Sequence, residues 1–289
     1  GCRMSHQGNV IDMRCRPAYL HDFFGATPGT DAFETARWLN HRVGSRGDDQ
    51  HFTRSLTEEG FLAEVREAGL SKAVVVGRHT PSQHLPNDRI HQIVAPHSEL
   101  IGIGAVDPAL QGVDGAIAEI DRAIKELGLS AINLEPGFAE PARHPDDALY
   151  FPIYEHCAAL GVPVSLMSGP TTPDPRFNDP SGLARVAQAF PTLPLIAYHG
   201  YWPNVAQAIG IAFRYENVHL VPDMYLFQPG SQLYIEAANS FLSDQLLFGS
   251  SYTFRPIRQS IEDFLAFGLP DAVNEKVLYA NAKRVLNTQ

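Results

Sequence analysis

Short apolar runs rich in β-branched residues recur along the chain, each ending in polar or glycine-containing residues, and longer amphipathic stretches separate them. Eight such runs stand out, at residues 10–15, 73–76, 100–106, 131–134, 162–167, 195–198, 218–221 and 246–249. The stretches between them carry helical periodicity; in 114–127, for example, Ile117, Ile120, Ala123, Ile124 and Leu127 repeat at i, i+3, i+4 spacing. The repeating unit is a strand followed by a helix. Eight such units predict a closed (β/α)8 barrel or a long open doubly wound sheet. An open sheet would advertise a glycine-rich phosphate turn after an early strand, and neither G-x-G-x-x-G nor G-x-x-x-x-G-K-[ST] occurs. The expectation is therefore an α/β protein made of one (β/α)8 TIM barrel over residues 9–289. Residues 1–8 are read as a disordered or tag-derived N-terminus.

Two connections are longer than the rest, and both leave the carboxyl ends of strands, where barrel enzymes place their sites. Residues 19–54 contain a helical stretch near 32–43 and the basic residues Arg37, Arg42, Arg46 and Arg54. Residues 168–180, stiffened by Pro170, Pro173 and Pro175, are expected to lack regular structure. Each is a candidate lid or an insertion that covers a barrel edge.

Composition narrows the partners. The 289 residues are 44% hydrophobic, with 22 Lys and Arg against 32 Asp and Glu, a formal net charge of −10. An acidic balance argues against nucleic acid or an anionic membrane as partner. No stretch approaches the roughly 20 apolar residues of a membrane span, and the first residues contain no apolar leader segment. Cys2, Cys15 and Cys157 have no C-x-x-C spacing and read as free thiols in a reducing compartment, so a cytoplasmic location is expected.

The chemistry starts at the end of the first strand. Arg14 and Arg16 stand at i, i+2 and share a face, which sends Cys15 into the opposite, inert layer. Four further segments are distinctive: Ile11-Asp12 in strand one, Tyr198-His199-Gly200-Tyr201-Trp202-Pro203 after strand six, Leu247-Phe248-Gly249-Ser250-Ser251-Tyr252 at strand eight, and Tyr279-Ala280-Asn281-Ala282-Lys283-Arg284-Val285-Leu286 near the end. In this order and on these elements the chain resembles the amidohydrolase superfamily, in the branch similar to aminocarboxymuconate-semialdehyde decarboxylase and 2-pyrone-4,6-dicarboxylate lactonase. The resemblance covers essentially the whole chain. It implies a zinc held by a His-x-His pair on strand one, histidines on strands five and six, and an aspartate on strand eight. At those positions stand Arg14, Arg16, Met167, His199 and Ser251. Four of the five ligands are replaced, so no metal and no other cofactor is expected. The resemblance also supplies a strategy: the dicarboxylate lactonase is metal-independent and binds its anionic substrate through basic side chains, although its first strand keeps the family histidines. A homodimer is a further possibility that it raises.

Two guanidinium groups can polarise an oxygen or hold a carboxylate, but they cannot generate hydroxide. His199 is the first candidate base, and Asp223 either orients it, pairs with an arginine or acts as the base itself. Arg78, Glu135, Ser168, Tyr225, Ser251 and Tyr252 are candidate substrate-binding groups at strand ends, while Arg176 and Arg255 fall on loops. Each has a plainer alternative. Arg14 and Arg16 could be locked in an ion-pair network with Asp12, Glu135 and Asp223, and His199 could only pack. Asp12 reads as a brace, and Tyr201 and Trp202 as a helix cap and a pocket wall. Ser251 lacks a G-x-S-x-G elbow and is a weak nucleophile candidate. The expected function is metal-independent hydrolysis of a small carboxylate-bearing lactone, ester or amide. The alternatives are decarboxylation, or a non-catalytic barrel that binds an anionic metabolite.

Overall fold

The computed structural model of the chain describes residues 9–19, 27–44 and 49–287. The expected N-terminal tag segment and Arg46 lie outside them. Seven strands form one parallel sheet: β1 (Ile11–Cys15), β2 (Lys72–Val76), β5 (Leu100–Ala105), β6 (Ile132–Leu134), β7 (Val164–Met167), β8 (Leu195–Tyr198) and β9 (Val218–Val221), hydrogen-bonded in that order. The eighth run closes the ring without becoming a regular strand. Leu246 bridges Leu220 and Leu247 N donates to Leu220 O at 3.0 Å on one side, while Met13 N donates to Phe248 O at 3.0 Å on the other. Its ladder is interrupted because Phe248 N donates to Val277 O at 3.1 Å. The fold is a (β/α)8 barrel.

Two core layers follow from the alternation of side chains along the strands. Ile11, Met13, Val74, Val76, Ile103, Ile196, Tyr198, Val221 and Leu247 fill the barrel, and Ala282, Val285 and Leu286 of the last helix close its amino-terminal end. The larger cluster, with Val75, Leu134, Leu166 and Ala197, lies between strands and surrounding helices. The helix expected over 114–127 divides into an α-helix, Val113–Asp121, and a π-helical turn, Arg122–Glu126. A short antiparallel hairpin, β3 (Arg78–His79) with β4 (His84–Leu85), follows β2 and was not foreseen.

The two long connections have local order. Helix α1 (Asp31–Arg42) occupies the stretch expected to be helical, with the Thr30 side chain accepting from Phe33 N at its start. The 168–180 connection is not wholly irregular: Pro175–Asn178 form a 3-10 turn, and Asn178 ties the loop down by accepting from Gly169 N at 2.6 Å and donating to Trp202 O at 3.0 Å. No helix among the described residues is long and apolar enough to cross a membrane.

Candidate active site

Strict alternation from Ile11 and Met13, both inside the barrel, would send Arg14 the other way. A register shift between Asp12 and Cys15 interrupts the β1–β2 ladder and reverses the parity. Arg14 and Arg16 then line the cavity at the barrel mouth, while Cys15 packs in the outer layer. Asp12 holds this irregularity. Its Oδ1 accepts from Arg14 N at 3.0 Å and from Ser250 N at 2.9 Å, joining strand one to the eighth run. Burial raises the Asp12 carboxyl to about 6.

Arg14 is buried, and its guanidinium lies 4.6 Å from the centre of the Tyr198 ring. Its Nη2 donates to Met167 Sδ at 3.3 Å, and its Nη1 has no hydrogen-bond partner among the described residues. No described carboxylate forms an ion pair with it. Glu135 is taken by Arg78, whose Nε donates to both carboxylate oxygens at 2.8 and 2.9 Å. Asp223 is taken by His199, and Asp12 by backbone amides. The ion-pair network considered as the plain alternative therefore does not form around Arg14. Arg16 donates from Nε to Val76 O at 2.7 Å. Burial lowers the pKa of both arginines, and the neighbouring Arg14 and Arg78 add to the effect on Arg16.

His199 ends β8. Its Nδ1 lies 2.7 Å from Asp223 Oδ1, and its backbone N donates to Asp223 Oδ2 at 3.0 Å. Met224 N donates to Asp223 Oδ1 at 2.7 Å. A carboxylate on Nδ1 fixes that nitrogen as the donor and leaves the Nε2 lone pair for the cavity that His199 lines. The pKa of His199 is lowered by burial first; Asp223 opposes this, and the charges of Arg14 and Arg16 reinforce it. The ring is neutral near pH 7. His199, Asp223 and Ser251 all have positive φ, at 69°, 48° and 57°. Three strand ends thus hold a rare backbone conformation at one place, which costs about 1–3 kcal/mol each and clusters at functional sites.

The cavity has a volume of about 490 Å³. Arg14, Arg16, Arg78, Gln83, His199 and Ser251 give it polar groups, and Trp38, Leu39, Phe138, Met224, Tyr252 and Phe254 give it apolar walls. Of the residues singled out from sequence, these include both arginines, Arg78, His199, Ser251 and Tyr252. Ser251 Oγ is buried without a partner among the described residues. Tyr252 contributes its ring, since its hydroxyl donates to His51 O.

The structure does not bring the other candidates to this cavity. Ser168 Oγ donates to Tyr198 O at 2.6 Å and accepts from Tyr201 N at 3.0 Å, so it braces the turn after β8. Glu135 pairs with Arg78 and neutralises its charge. Asp223 lies behind His199 as its orienting partner, without lining the cavity. Tyr225 packs edge-on against His199, with ring centres 5.1 Å apart. Arg255 is not on an open loop: it is buried, lies over Phe227 at 4.0 Å and donates to Val43 O at 2.9 Å. Tyr201 is a core residue. Sequence reasoning missed Trp38, Gln83, Phe138, Met224 and Phe254, whose local patterns carry no sign of the cavity.

A family model described as amidohydrolase matches residues 11–288. The chain belongs to the amidohydrolase family. Among curated proteins it is 37% identical over 79 residues to a 2-amino-3-carboxymuconate-6-semialdehyde decarboxylase of Dictyostelium discoideum, a match that spans 27% of this chain and 21% of the relative. Among solved structures, an uncharacterized TIM-barrel protein from Bordetella bronchiseptica superposes with a TM-score of 0.84 at 30% identity, covering 96% of this chain and 98% of the other. A probable 2-pyrone-4,6-dicarboxylic acid hydrolase from Acinetobacter baumannii, with citric acid bound, superposes with a TM-score of 0.66 at 12% identity, covering 96% and 99%. That likeness is one of fold.

This amidohydrolase does not fit a divalent cation at the position its relatives' pattern implies. A guanidinium has no lone pair to donate, and Arg14 Nη2 already points at Met167, another of the replaced positions. Among the described residues no three His, Cys, Asp or Glu side chains converge where they could hold a metal ion. What the site offers is fixed positive charge opposite a neutral imidazole.

Proposed function

We propose that this protein is a metal-independent hydrolase of a small carboxylate-bearing lactone, ester or amide. The observation that carries the reading is that one cavity is lined both by the buried Arg14, with Nη1 unpaired among the described residues, and by His199, which burial keeps neutral and Asp223 orients. An unpaired buried donor is costly, and an anion is the partner that repays it most strongly.

In this reading His199 Nε2 takes a proton from a water molecule as the water oxygen attacks the carbonyl carbon. Negative charge gathers on the carbonyl oxygen and is met by the Ser251 hydroxyl, while Arg14 holds the substrate's carboxylate. The imidazolium, steadied by Asp223, returns its proton to the leaving oxygen or nitrogen as that bond breaks. Water is consumed and one acid group appears. A depressed pKa suits a base that starts unprotonated, which favours hydrolysis over a reaction that begins with proton donation. The citric acid in the Acinetobacter protein is consistent with a polycarboxylate ligand. The Dictyostelium relative, a decarboxylase by name, keeps carbon dioxide release as the second reading.

The test is a screen of carboxylated lactones and esters by proton release and of amides by amine release, with carbon dioxide measured in parallel, on wild type and His199→Gln in the presence of EDTA. Proton or amine release that needs His199 and survives EDTA is expected. Carbon dioxide release without hydrolysis would replace the reading by the decarboxylase, and carboxylate binding with no turnover would leave a binding protein.

A further inference from the structure

A second cavity, of about 530 Å³, adjoins the first. Trp38, Leu39 and Thr171 line both, so α1 and the loop after β7 form the shared wall. Trp202 and Tyr225 line the outer cavity alone, with their rings stacked at 5.3 Å and an interplanar angle of 1°. The same Tyr225 ring meets His199 edge-on, so the candidate base stands where the two cavities adjoin. The Tyr225 hydroxyl is buried and has no hydrogen-bond partner among the described residues. Trp38 is 56% exposed, a large apolar surface left uncovered at a cavity edge, and the Arg42 guanidinium lies 5.6 Å from its ring centre.

Flat π surfaces favour a flat partner, because ring stacking adds to the gain from burial, and His41, Arg42, Thr171 and Gln228 in the same lining can meet polar substituents on it. We propose that the outer cavity is a second substrate subsite for a planar aromatic or conjugated group. The substrate is then a two-part molecule: its anionic head reaches Arg14 and its planar tail lies against Trp38, Trp202 and Tyr225. This rests on the reading of Arg14 and His199 as the reacting end. It assigns the leaving group to the outer cavity and the acyl part to the inner one.

The chain contains two tryptophans, and both line this cavity. Its indole fluorescence is therefore a direct report on the subsite. The experiment titrates 4-(4-nitrophenyl)butyrate, whose nitroaryl group quenches indole, against wild type and Trp202→Leu, with hexanoate as competitor and 4-(4-nitrophenyl)butan-1-ol as the uncharged probe. Saturable quenching is expected, with at least tenfold tighter binding than hexanoate and at least a tenfold loss in Trp202→Leu while hexanoate affinity is kept. Should Trp202→Leu fold poorly, Trp38→Ala on the exposed helix face is expected to show the same loss. An aryl acid that binds no tighter than hexanoate, or equally well in the variants, overturns the subsite and leaves the anion site standing. If hexanoate does not bind at all, the anion site fails and the uncharged probe decides: quenching that is lost in the variants supports the subsite, and no quenching overturns it.

Discussion

The two halves of the barrel mouth carry opposite kinds of chemistry. At β1 and β7 the side chains at the family's ligand positions are Arg14, Arg16 and Met167, and the guanidinium of Arg14 lies against the Met167 sulfur and the Tyr198 ring. At β8 and β9 stands a hydrogen-bonded His199–Asp223 pair of an ordinary acid–base kind. The first half consists of buried guanidinium groups whose pKa burial lowers; the second pairs an imidazole with a carboxylate. What the contrast teaches is that guanidinium and thioether side chains can stand at strand ends beside an intact His–Asp pair. The charge half influences the base half, since Arg14 and Arg16 both lower the pKa of His199.

The largest effect is expected from breaking the base half. His199→Gln should lower kcat by about 10²–10⁴-fold with little change in KM, as measured by steady-state hydrolysis. Breaking the charge half should act differently. In Arg14→Met, KM for a carboxylated substrate should rise by about 10–100-fold, the loss of hydrogen bonds from a charged group worth about 1.5–3 kcal/mol. The same variant should melt at a higher temperature than wild type, because a buried cation without a carboxylate partner gives way to an apolar side chain. A lower melting temperature would mean that Arg14 is a structural cation after all.

Asp12 separates the arginine pair from its scaffold. Asp12→Ala strands the buried amides of Arg14 and Ser250 and should cost about 2 kcal/mol or more in urea denaturation, with KM rising as the strand irregularity relaxes. A loss of stability with unchanged KM would show that the arginines reach the cavity without this brace. The smallest effect joins the two halves. His199 serves as base only when neutral, so kcat/KM should fall as pH drops through a value below its usual 6.5. Removing the Arg14 charge should move that limb upward, and Asp223→Asn, which removes the opposing carboxylate, should move it downward. Limbs that coincide in all three proteins would mean that another group titrates.

Much of this architecture is legible in the pattern of apolar residues, because buried parallel strands demand continuous β-branched runs. The runs at 195–198 and 218–221 match β8 and β9 at both ends. The eighth run was readable as an element but not as an interrupted one, since the amide of Phe248 is diverted to Val277, a partner far along the chain. The hairpin β3–β4 has only two residues in each strand, too few for any period to register. At the site, the common face of Arg14 and Arg16 followed from their spacing. The reversal that turns this face inward did not, because it depends on a register shift against β2. The Arg78–Glu135 pairing and the burial of Arg255 were invisible for the same reason: charge in a sequence does not say what it meets across the barrel. Local pattern finds strands and helices, whereas the state of each charge is decided by contacts between distant segments.

The most direct test of the central claim is calorimetric titration of citrate into wild type and Arg14→Met, each with and without EDTA. The account predicts binding to wild type that EDTA leaves unchanged and that weakens at least about tenfold in Arg14→Met. Citrate binding that disappears on chelation, or that Arg14→Met retains in full, would contradict it and return the site to a metal-centred chemistry or to an anion site elsewhere.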